Sequence, residues 1–279
     1  MIELPSLDSI YDVADWVELV LASGEEDVVS KSLISNTIEA LQGNEPPEAF
    51  ISSVMLELRR RESLYSTPYY EVSSSLVRRL EGDSPLEYKA LLLFALFGTR
   101  SASINAKLFE RFTTFAVQGV FGAQSYCFGW PVLPDTPVAI ADRLRVLCEK
   151  LNERFVESPA AKYKDRGVDV VFWLPHDGRS SQVVGLLQCA IGENWRGKTS
   201  GIPLTSWKQY IHWAAAPITA FAVPGVFPPD EEWHETSAEA GVLLDRPRLL
   251  RGTERSRLPS DFAEEIATWI ETTLQEVAA

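Results

Sequence analysis

Two apolar segments joined by a turn-forming stretch constrain the fold of this chain more than any other feature. Val168–Leu174 and Val183–Ile191 are rich in Val, Leu and Phe, and the residues between them, Pro175–Ser181, include the pair Asp177-Gly178. Asp-Gly between two β-favouring segments is typical of a hairpin. Because both segments are apolar at consecutive positions, we expect two strands inside a sheet that is covered on both faces.

Two polar residues interrupt these strands. Asp169 lies in the first and Gln188 in the second, each between apolar or small neighbours. A buried polar side chain needs a partner, and a buried carboxylate needs a cation or strong hydrogen-bond donors. Taken singly, each residue is more typical of a structural role, an Asp that caps a turn or a Gln bonded to backbone. Together on adjacent strands they predict a functional site.

The order of these residues resembles a known superfamily. An acidic residue early in one strand, then a hairpin, then a strand ending in Gln-x-Lys is the pattern of one branch of the PD-(D/E)xK restriction-endonuclease-like proteins. Here Asp169 and Gln188–Ala190 match it, and Glu110 in Lys107–Phe112 matches the acidic residue of the opening helix. The resemblance covers about residues 100–225. It implies an α/β (α+β) fold with a mixed central sheet flanked by helices.

The resemblance also implies a function. Proteins of this kind are metal-dependent endonucleases that cleave nucleic acid phosphodiesters, often in bacterial defence against foreign DNA. By this resemblance Asp169, Gln188 and Glu110 would bind Mg²⁺ or Mn²⁺, and all three offer the oxygen atoms that these ions prefer. The usual lysine is replaced by Ala190, so Lys198 is the nearest downstream candidate, and we expect its ammonium to point toward Asp169 and Gln188. The alternative is a catalytically inactive nuclease-like subunit that binds nucleic acid or a protein partner.

The charge of the chain opposes nucleic acid binding overall but not locally. With 39 acidic and 26 basic side chains the net charge is −13, whereas phosphate binding depends on clustered Lys and Arg. One strip near the C-terminus is basic. We expect it either to contact nucleic acid, with DNA favoured, or to be an ordinary solvated and salt-bridged surface. It consists of Arg246, Arg248, Arg251, Arg255 and Arg257.

The first part of the chain differs from the rest. Apolar residues recur at helical spacing through residues 1–99, as in Leu7–Ser23 and Pro85–Phe97, which predicts an all-helical N-terminal region. It holds no catalytic constellation and is strongly acidic, so a partner-facing or scaffolding role is favoured. Residues 100–279 are predicted to form the α/β core, with a last amphipathic helix over Asp261–Glu276. The sequence leaves open whether the chain forms a homo-oligomer.

Cysteine usage and hydropathy indicate a cytoplasmic protein. Cys127, Cys148 and Cys189 are far apart in the sequence, which opposes a disulfide framework or a zinc site. The first residues lack a basic segment followed by an apolar one, and the longest apolar segment, Ala90–Phe97, is too short to cross a bilayer. We therefore expect no membrane association.

One motif competes with the nuclease interpretation. Gly192–Thr199 matches the phosphate-loop pattern G-x-x-x-x-G-K-[ST] and follows an apolar strand. A phosphate loop needs a helix that begins at the Lys-Thr pair, because the free N–H groups of that helix bind the phosphates. Pro203 lies four residues beyond Thr199 and opposes such a helix. Nucleotide binding is therefore a minor alternative.

Overall fold

The computed structural model describes residue 2 and residues 9–160, 162–229 and 231–278. Contacts divide them into two compact units. One unit contains the described residues up to Arg100 together with those from Pro259 onward, and the other is Ser101–Leu258. Over these described ranges, no helix is both long and apolar enough to cross a bilayer. The candidate residues Glu110, Asp169, Gln188 and Lys198 all belong to the second unit.

Up to Arg100, the described residues of the first unit form four helices and a small antiparallel sheet of three strands, in which the last strand lies between the other two. Ser9 and Ser30 cap two of its helices, and each accepts a hydrogen bond from a backbone N–H of the first turn. The elements are α1 (Ile10–Ser23), β1 (Val28–Ser30), α2 (Lys31–Gln42), α3 (Glu48–Glu62), β2 (Tyr70–Val72), β3 (Leu76–Arg79) and α4 (Leu86–Phe97).

The N-terminal region is therefore not all-helical. Residues 73–80, whose sequence also predicts a helix, contain β3 instead. Ser73 explains the difference, because its Oγ accepts hydrogen bonds from the backbone N–H groups of Ser75 and Leu76. A serine that bonds its own neighbouring backbone stabilises a turn in place of a helix. The turn brings β3 beside β2, with Val77 opposite Val72.

A charged cluster lies in the interior of this first unit. The Arg61 guanidinium is fully buried and donates to Asp15, Glu18 and Glu57. Glu18 also accepts from the hydroxyl groups of two tyrosines, Tyr65 and Tyr88. Because each buried charge has charged or hydroxyl partners, the cluster is a structural network that ties α1 to α3.

The second unit is built on a five-stranded mixed sheet and a two-stranded antiparallel ladder. The helices and strands of this unit are α5 (Ala102–Phe121), β4 (Gln124–Cys127), α6 (Ile140–Leu151), β5 (Arg154–Phe155), β6 (Val170–Leu174), β7 (Val183–Cys189), a 3₁₀ helix (Glu193–Lys198), α7 (Leu204–Tyr210), β8 (Ile211–His212), β9 (Ile218–Ala222), α8 (Glu231–Ala240), β10 (Val242–Leu244) and α9 (Arg246–Arg255). The strand order in the sheet is β10-β9-β7-β6-β4, and the ladder pairs β5 with β8.

This architecture confirms the predicted fold class, a mixed central sheet flanked by helices. The hairpin of β6 and β7 is antiparallel, with Val170 opposite Leu187. β9 and β10 continue the sheet in parallel with β7. Both strands of the hairpin are buried, as their apolar composition predicts.

Three elements of this unit were not expected. β4 lies in a segment that reads as a Gly- and Pro-rich connection, and its pairing with β6 stabilises it there. α8 and α9 lie in polar sequence. α9 begins because the Asp245 carboxylate accepts a hydrogen bond from the Arg248 N–H and Pro247 occupies its first turn.

The last helix, α10 (Ser260–Ala278), matches the predicted C-terminal helix in type and position. It belongs to the first unit, where the ring of its Trp269 stacks on Phe94 of α4 at 4.4 Å. The predicted assignment of this helix to the α/β core therefore differs from the observed contacts. The division into functional domains at residues 99 and 100 stays a prediction.

Two glycines allow α5 and α9 to approach to backbone contact. A Cβ at Gly119 would lie 1.9 Å from the carbonyl oxygen of Gly252, and one at Gly252 would lie 2.3 Å from that of Ala116. Such distances are far inside van der Waals contact, so only glycine fits. The close crossing fixes α5, the helix that carries Glu110.

We expect Gly119→Ala to destabilise the second unit. Alanine normally stabilises a helix relative to glycine, but here its methyl group would meet backbone, and overpacking of this kind costs about 1–3 kcal/mol. Urea unfolding followed by tryptophan fluorescence would measure the loss. Gly178→Ala is the matched control, since nothing lies within 4 Å of its Cβ position. A Gly119→Ala protein as stable as wild type would contradict the predicted clash.

Candidate active site

Asp169 lies immediately before β6, at the point where three strands meet, and not inside the strand as the sequence predicts. Its backbone carbonyl accepts hydrogen bonds from the N–H groups of Phe128 (2.7 Å) and Gly129 (2.8 Å), which follow β4. Its own N–H donates to Leu187 O at 2.9 Å, and its carboxylate oxygen Oδ2 accepts from Cys189 N at 2.7 Å. Leu187 and Cys189 are the neighbours of Gln188, so the two sequence-predicted strand residues are adjacent in the fold.

Glu110 reaches the same place from α5. It lies in the third turn of that helix, so it is not an acidic residue of the first turn. A Cβ built on Gly129 would lie 2.5 Å from Glu110 Oε2 and 2.9 Å from Asp169 Oδ1. The two carboxylates therefore converge on the backbone of Gly129. A larger residue there would displace one of them.

A lysine that the sequence did not single out completes this cluster. Lys107 lies one turn before Glu110 on the same face of α5, as their spacing of three residues requires. Its Nζ donates to Glu110 Oε2 at 2.5 Å and to the Gly129 carbonyl at 2.9 Å, and it lies 3.8 Å from Cys127 Sγ. With its side chain 14% exposed and that of Glu110 8% exposed, this pair is shielded from bulk water.

Burial and neighbouring negative charges raise the pKa values of both carboxylates. The pKa of Glu110 rises to about 8, mainly because of burial and also because of the negative charge of Asp169, while Lys107 opposes the rise. The pKa of Asp169 rises to about 6, mainly through burial, and the hydrogen bond from Cys189 N opposes it. Two neighbouring carboxyl groups with raised pKa values do not both ionise easily, and a bound cation would stabilise their ionised forms. Such pairs are typical of functional sites.

Asp165 is a third acid at this cluster. Its carboxylate accepts from the N–H groups of Gly167 (3.0 Å) and Trp130 (3.3 Å). Its negative charge raises the pKa values of both Asp169 and Glu110. Asp165 thus makes the site more acidic and holds the segment before Asp169 against the residue that follows Gly129.

Gln188 carries an unpaired buried oxygen. Its Oε1 is buried and has no hydrogen-bond partner among the residues that the structure describes. A Cβ at Gly201 would lie 2.2 Å from that oxygen, so the absence of a side chain at Gly201 makes the space that the Gln188 amide occupies. A buried carbonyl oxygen without a donor costs free energy and is a ready ligand for a cation.

Lys198 occupies a different environment from Lys107. It is the last residue of the 3₁₀ helix and is exposed. Its positive charge lowers the pKa of Asp169, but less than the charge of Lys107 does. Its predicted orientation toward Asp169 and Gln188 stays a prediction.

The five arginines of the C-terminal strip are not equivalent. Arg246 is fully buried, and its Nε donates to the Pro224 carbonyl, so its side chain is not at a surface that nucleic acid could contact. Arg248 is exposed but packs over the Trp233 ring and donates to Leu243 O at 2.7 Å. Arg251, Arg255 and Arg257 are exposed. A role of the strip in nucleic acid binding stays a prediction.

The phosphate-loop alternative lacks the required geometry. Gly192–Thr199 forms a 3₁₀ helix instead of leading into an α-helix, and α7 starts only after Pro203. The Thr199 hydroxyl donates to the carboxylate of Glu239 at 2.6 Å. Because no α-helix begins at the Lys198-Thr199 pair, the main structural requirement for binding phosphates there is missing.

The cysteines near the site are not nucleophiles. Burial raises the pKa of the Cys127 thiol to about 11 and that of Cys189 well above its usual range. Both are therefore neutral thiols at neutral pH, and the reactive form of cysteine is the thiolate. The three cysteines are free, as the sequence indicates.

The proton of Glu110 predicts a pH dependence of stability. Because the pKa in the folded state (about 8) exceeds the usual 4.5, the folded protein holds this proton more tightly than the unfolded chain. Its contribution to stability is full below pH 4.5 and is lost as the pH rises through 8.

We expect wild type to lose on the order of 3 kcal/mol relative to Glu110→Gln between pH 5 and 8, because the glutamine keeps the shape and an acceptor for Lys107 but cannot ionise. Urea unfolding of both metal-free proteins at several pH values measures this difference. Parallel stability curves for the two proteins would contradict the raised pKa.

Comparisons with known proteins give a distant likeness only. No family model and no curated protein matches the chain. Similar solved structures include the MspJI restriction endonuclease in complex with a 27-mer oligonucleotide (15% identity, 85% of this chain, 46% of that chain, TM-score 0.33). They also include the FokI restriction endonuclease (10%, 93%, 48%, 0.26) and FokI bound to DNA (10%, 96%, 47%, 0.22). This chain spans about half the length of each of these structures.

Proposed function

We propose that the second unit is a metal-dependent nuclease that hydrolyses phosphodiesters at the cluster of Glu110, Asp169 and Lys107. The observation that carries the proposal is the convergence beside Gly129 of the buried Glu110 carboxylate, the half-buried Asp169 carboxylate and the shielded Lys107 ammonium, with raised pKa values for both acids. DNA is the favoured substrate by the resemblance of the hairpin and its acidic residues to the PD-(D/E)xK pattern, and a role in defence remains part of this proposal.

The donor set fits Mg²⁺ or Mn²⁺. Glu110 and Asp169 offer carboxylate oxygens, and Gln188 offers the buried Oε1 that has no other partner. Such hard oxygen ligands suit these ions, which also keep water or substrate oxygens in their coordination sphere. Among the described residues, no group of three or more His, Cys, Asp and Glu is arranged to hold a metal.

Each side chain has a distinct task in this proposal. The metal would supply charge stabilisation at the scissile phosphate and lower the pKa of a water molecule. Glu110 and Asp169 hold the cation, and the hydrogen bond from Cys189 N orients the Asp169 carboxylate. Lys107, fixed by Glu110 and by the Gly129 carbonyl, places a positive charge where negative charge develops. It supplies the ammonium that the Ala190 position lacks.

A second candidate function follows from Ala190. This residue is 2% exposed and packs in a cluster with Phe221 and Val223. The chain therefore has an apolar residue where the superfamily pattern has its lysine. If Lys107 does not replace that lysine, the second unit is a binding subunit that retains the fold without the activity.

Plasmid cleavage separates these two functions. We expect purified protein with Mg²⁺ or Mn²⁺ to cleave plasmid or single-stranded DNA, and EDTA to stop the reaction. Asp169→Asn protein prepared in parallel detects contaminating nuclease, because cleavage that survives this substitution does not come from the site. Absence of metal-dependent cleavage in wild type, with oligonucleotide binding retained, would favour the binding subunit over the enzyme.

A further inference from the structure

A cationic aromatic cavity adjoins the acidic cluster. It has a volume of about 450 Å³, within the range of about 300–1,000 Å³ that small-molecule sites occupy. A second cavity of about 260 Å³ shares three of its lining residues, Trp130, Tyr163 and Lys164. The cavity of about 450 Å³ is called the Trp130–Tyr163 cavity below. Its lining residues are Trp130, Lys162, Tyr163, Lys164, Asp165, Arg166, Gly167, Gly201 and Pro203.

This cavity is basic in an acidic protein. Its lining holds three cations, Lys162, Lys164 and Arg166, against one acid, Asp165, although the chain as a whole carries −13. Lys162 and Lys164 are exposed, so their charges are available to an incoming anion. A local concentration of positive charge of this kind attracts phosphate.

The two aromatic rings are accessible and lie under cations. Trp130 is 36% exposed, unusual for so large an apolar side chain. The Lys164 Nζ lies 4.6 Å from the centre of the Trp130 ring, and the Arg166 guanidinium lies 3.5 Å from that of Tyr163. A cation over an exposed ring is a weak contact compared with a stacked base. Lys164 can therefore leave the ring for a phosphate when a base stacks there.

The cavity is joined to the acidic cluster through shared backbone. Trp130 directly follows Gly129, on which Glu110 and Asp169 converge, and its N–H donates to Asp165. Gly201, which also lines the cavity, contacts the Gln188 amide. A ligand in the cavity would therefore contact two segments that pack against the proposed metal ligands.

We propose that the Trp130–Tyr163 cavity binds an unpaired nucleotide of a single-stranded nucleic acid, whose base stacks on the Trp130 ring while Lys162 and Lys164 contact its phosphates. This inference rests on the proposed nuclease function and specifies its substrate class. The bases of an intact duplex are stacked on one another and would have to be extruded to reach such a ring. A single strand presents them without that cost, and aromatic platforms with basic residues are how proteins bind single strands.

The test is oligonucleotide binding by the full-length chain in EDTA, where no cleavage occurs. Fluorescein-labelled single-stranded DNA of about 16 nucleotides and the duplex of the same sequence would be titrated and followed by anisotropy. We expect the single strand to bind more tightly than the duplex. We expect Trp130→Ala to weaken single-strand binding by about 5- to 140-fold, and Trp130→Phe to retain most of it, because loss of one stacked base has an effect of this size.

Salt dependence tests the cationic half of the proposal. Lys164→Gln should reduce the slope of log affinity against log salt by about 0.7, the value for one phosphate contact on a single strand. Lys150→Gln is the matched control, since Lys150 is an exposed lysine of the same unit that lines neither cavity. It should leave the slope unchanged. Circular dichroism of each variant verifies that the fold is retained.

The outcomes separate this inference from the nuclease function. Unchanged single-strand binding by folded Trp130→Ala and Lys164→Gln proteins, or equal weakening of single strand and duplex, would overturn the cavity as a single-strand site even if plasmid cleavage is observed. Binding that depends on Trp130 and prefers the single strand would support the cavity even if cleavage is absent. In that case only the catalytic assignment fails.

Discussion

Asp169→Asn is expected to lower metal-dependent cleavage at least about 10³-fold, since a metal supplies several kcal/mol of charge stabilisation in the transition state. The substitution removes the negative charge and keeps the shape. The asparagine oxygen can still accept the hydrogen bond from Cys189 N that the carboxylate accepts at 2.7 Å. The loss of activity would therefore come from the missing negative charge of Asp169 and not from a disrupted contact between the strands.

Isothermal titration with Mn²⁺ and cleavage assays on the same preparations measure this effect. Wild type should bind the ion, and Asp169→Asn should bind it weakly or not at all. Asp177→Asn is a suitable control, because Asp177 lies in the exposed hairpin loop and pairs with Arg179 there. An Asp169→Asn protein that cleaves at the wild-type rate would remove Asp169 from the site.

Lys107→Met is expected to slow cleavage by about 10²–10³-fold, the loss typical when one fixed electrostatic group is removed from an active site. Methionine keeps the buried apolar stem and removes the ammonium that bonds Glu110 and the Gly129 carbonyl. The positive charge of Lys107 also lowers the pKa of Glu110. Its removal should therefore shift the rise of activity with pH to higher pH as well.

Lys198→Met is the informative comparison. Lys198 is exposed, and an exposed charge interacts across water by about 0.2–1 kcal/mol, so its loss should slow cleavage at most about fivefold. Pre-steady-state cleavage rates of the two variants over a range of pH would rank the lysines. If Lys198→Met slows cleavage more than Lys107→Met does, Lys198 is the lysine that supplies the catalytic ammonium, as the sequence predicts.

Much of the sheet was predictable because its strands carry local signals. The β6–β7 hairpin follows from two continuous apolar segments around Asp177-Gly178, and β9 and β10 also match short apolar segments of the sequence. β4 was not predictable, because Gln124–Cys127 gains its strand structure from pairing with β6. Pairing across the chain is not a property of the segment itself.

The residues of the candidate site also differ in how far the sequence predicts them. Asp169 and Gln188 were identifiable because a polar residue in an apolar strand is a local anomaly. Glu110 came from the resemblance, since an acidic residue on a helix face is ordinary by itself.

Lys107 carried one usable signal, its position three residues before Glu110. That spacing shows that the two side chains share a helix face, but it does not show that the face is buried.

By itself, then, the sequence determined the α/β class, the central hairpin and the two polar residues in its strands, because strand periodicity and turn chemistry act over a few neighbouring residues. Only the tertiary structure decided which lysine accompanies the carboxylates and which glycines make room for them. Gly129 and Gly201 are unremarkable in the sequence, yet a Cβ at either would meet a side chain of the site. Close approach between distant segments depends on how helices and strands pack, and no local pattern records it.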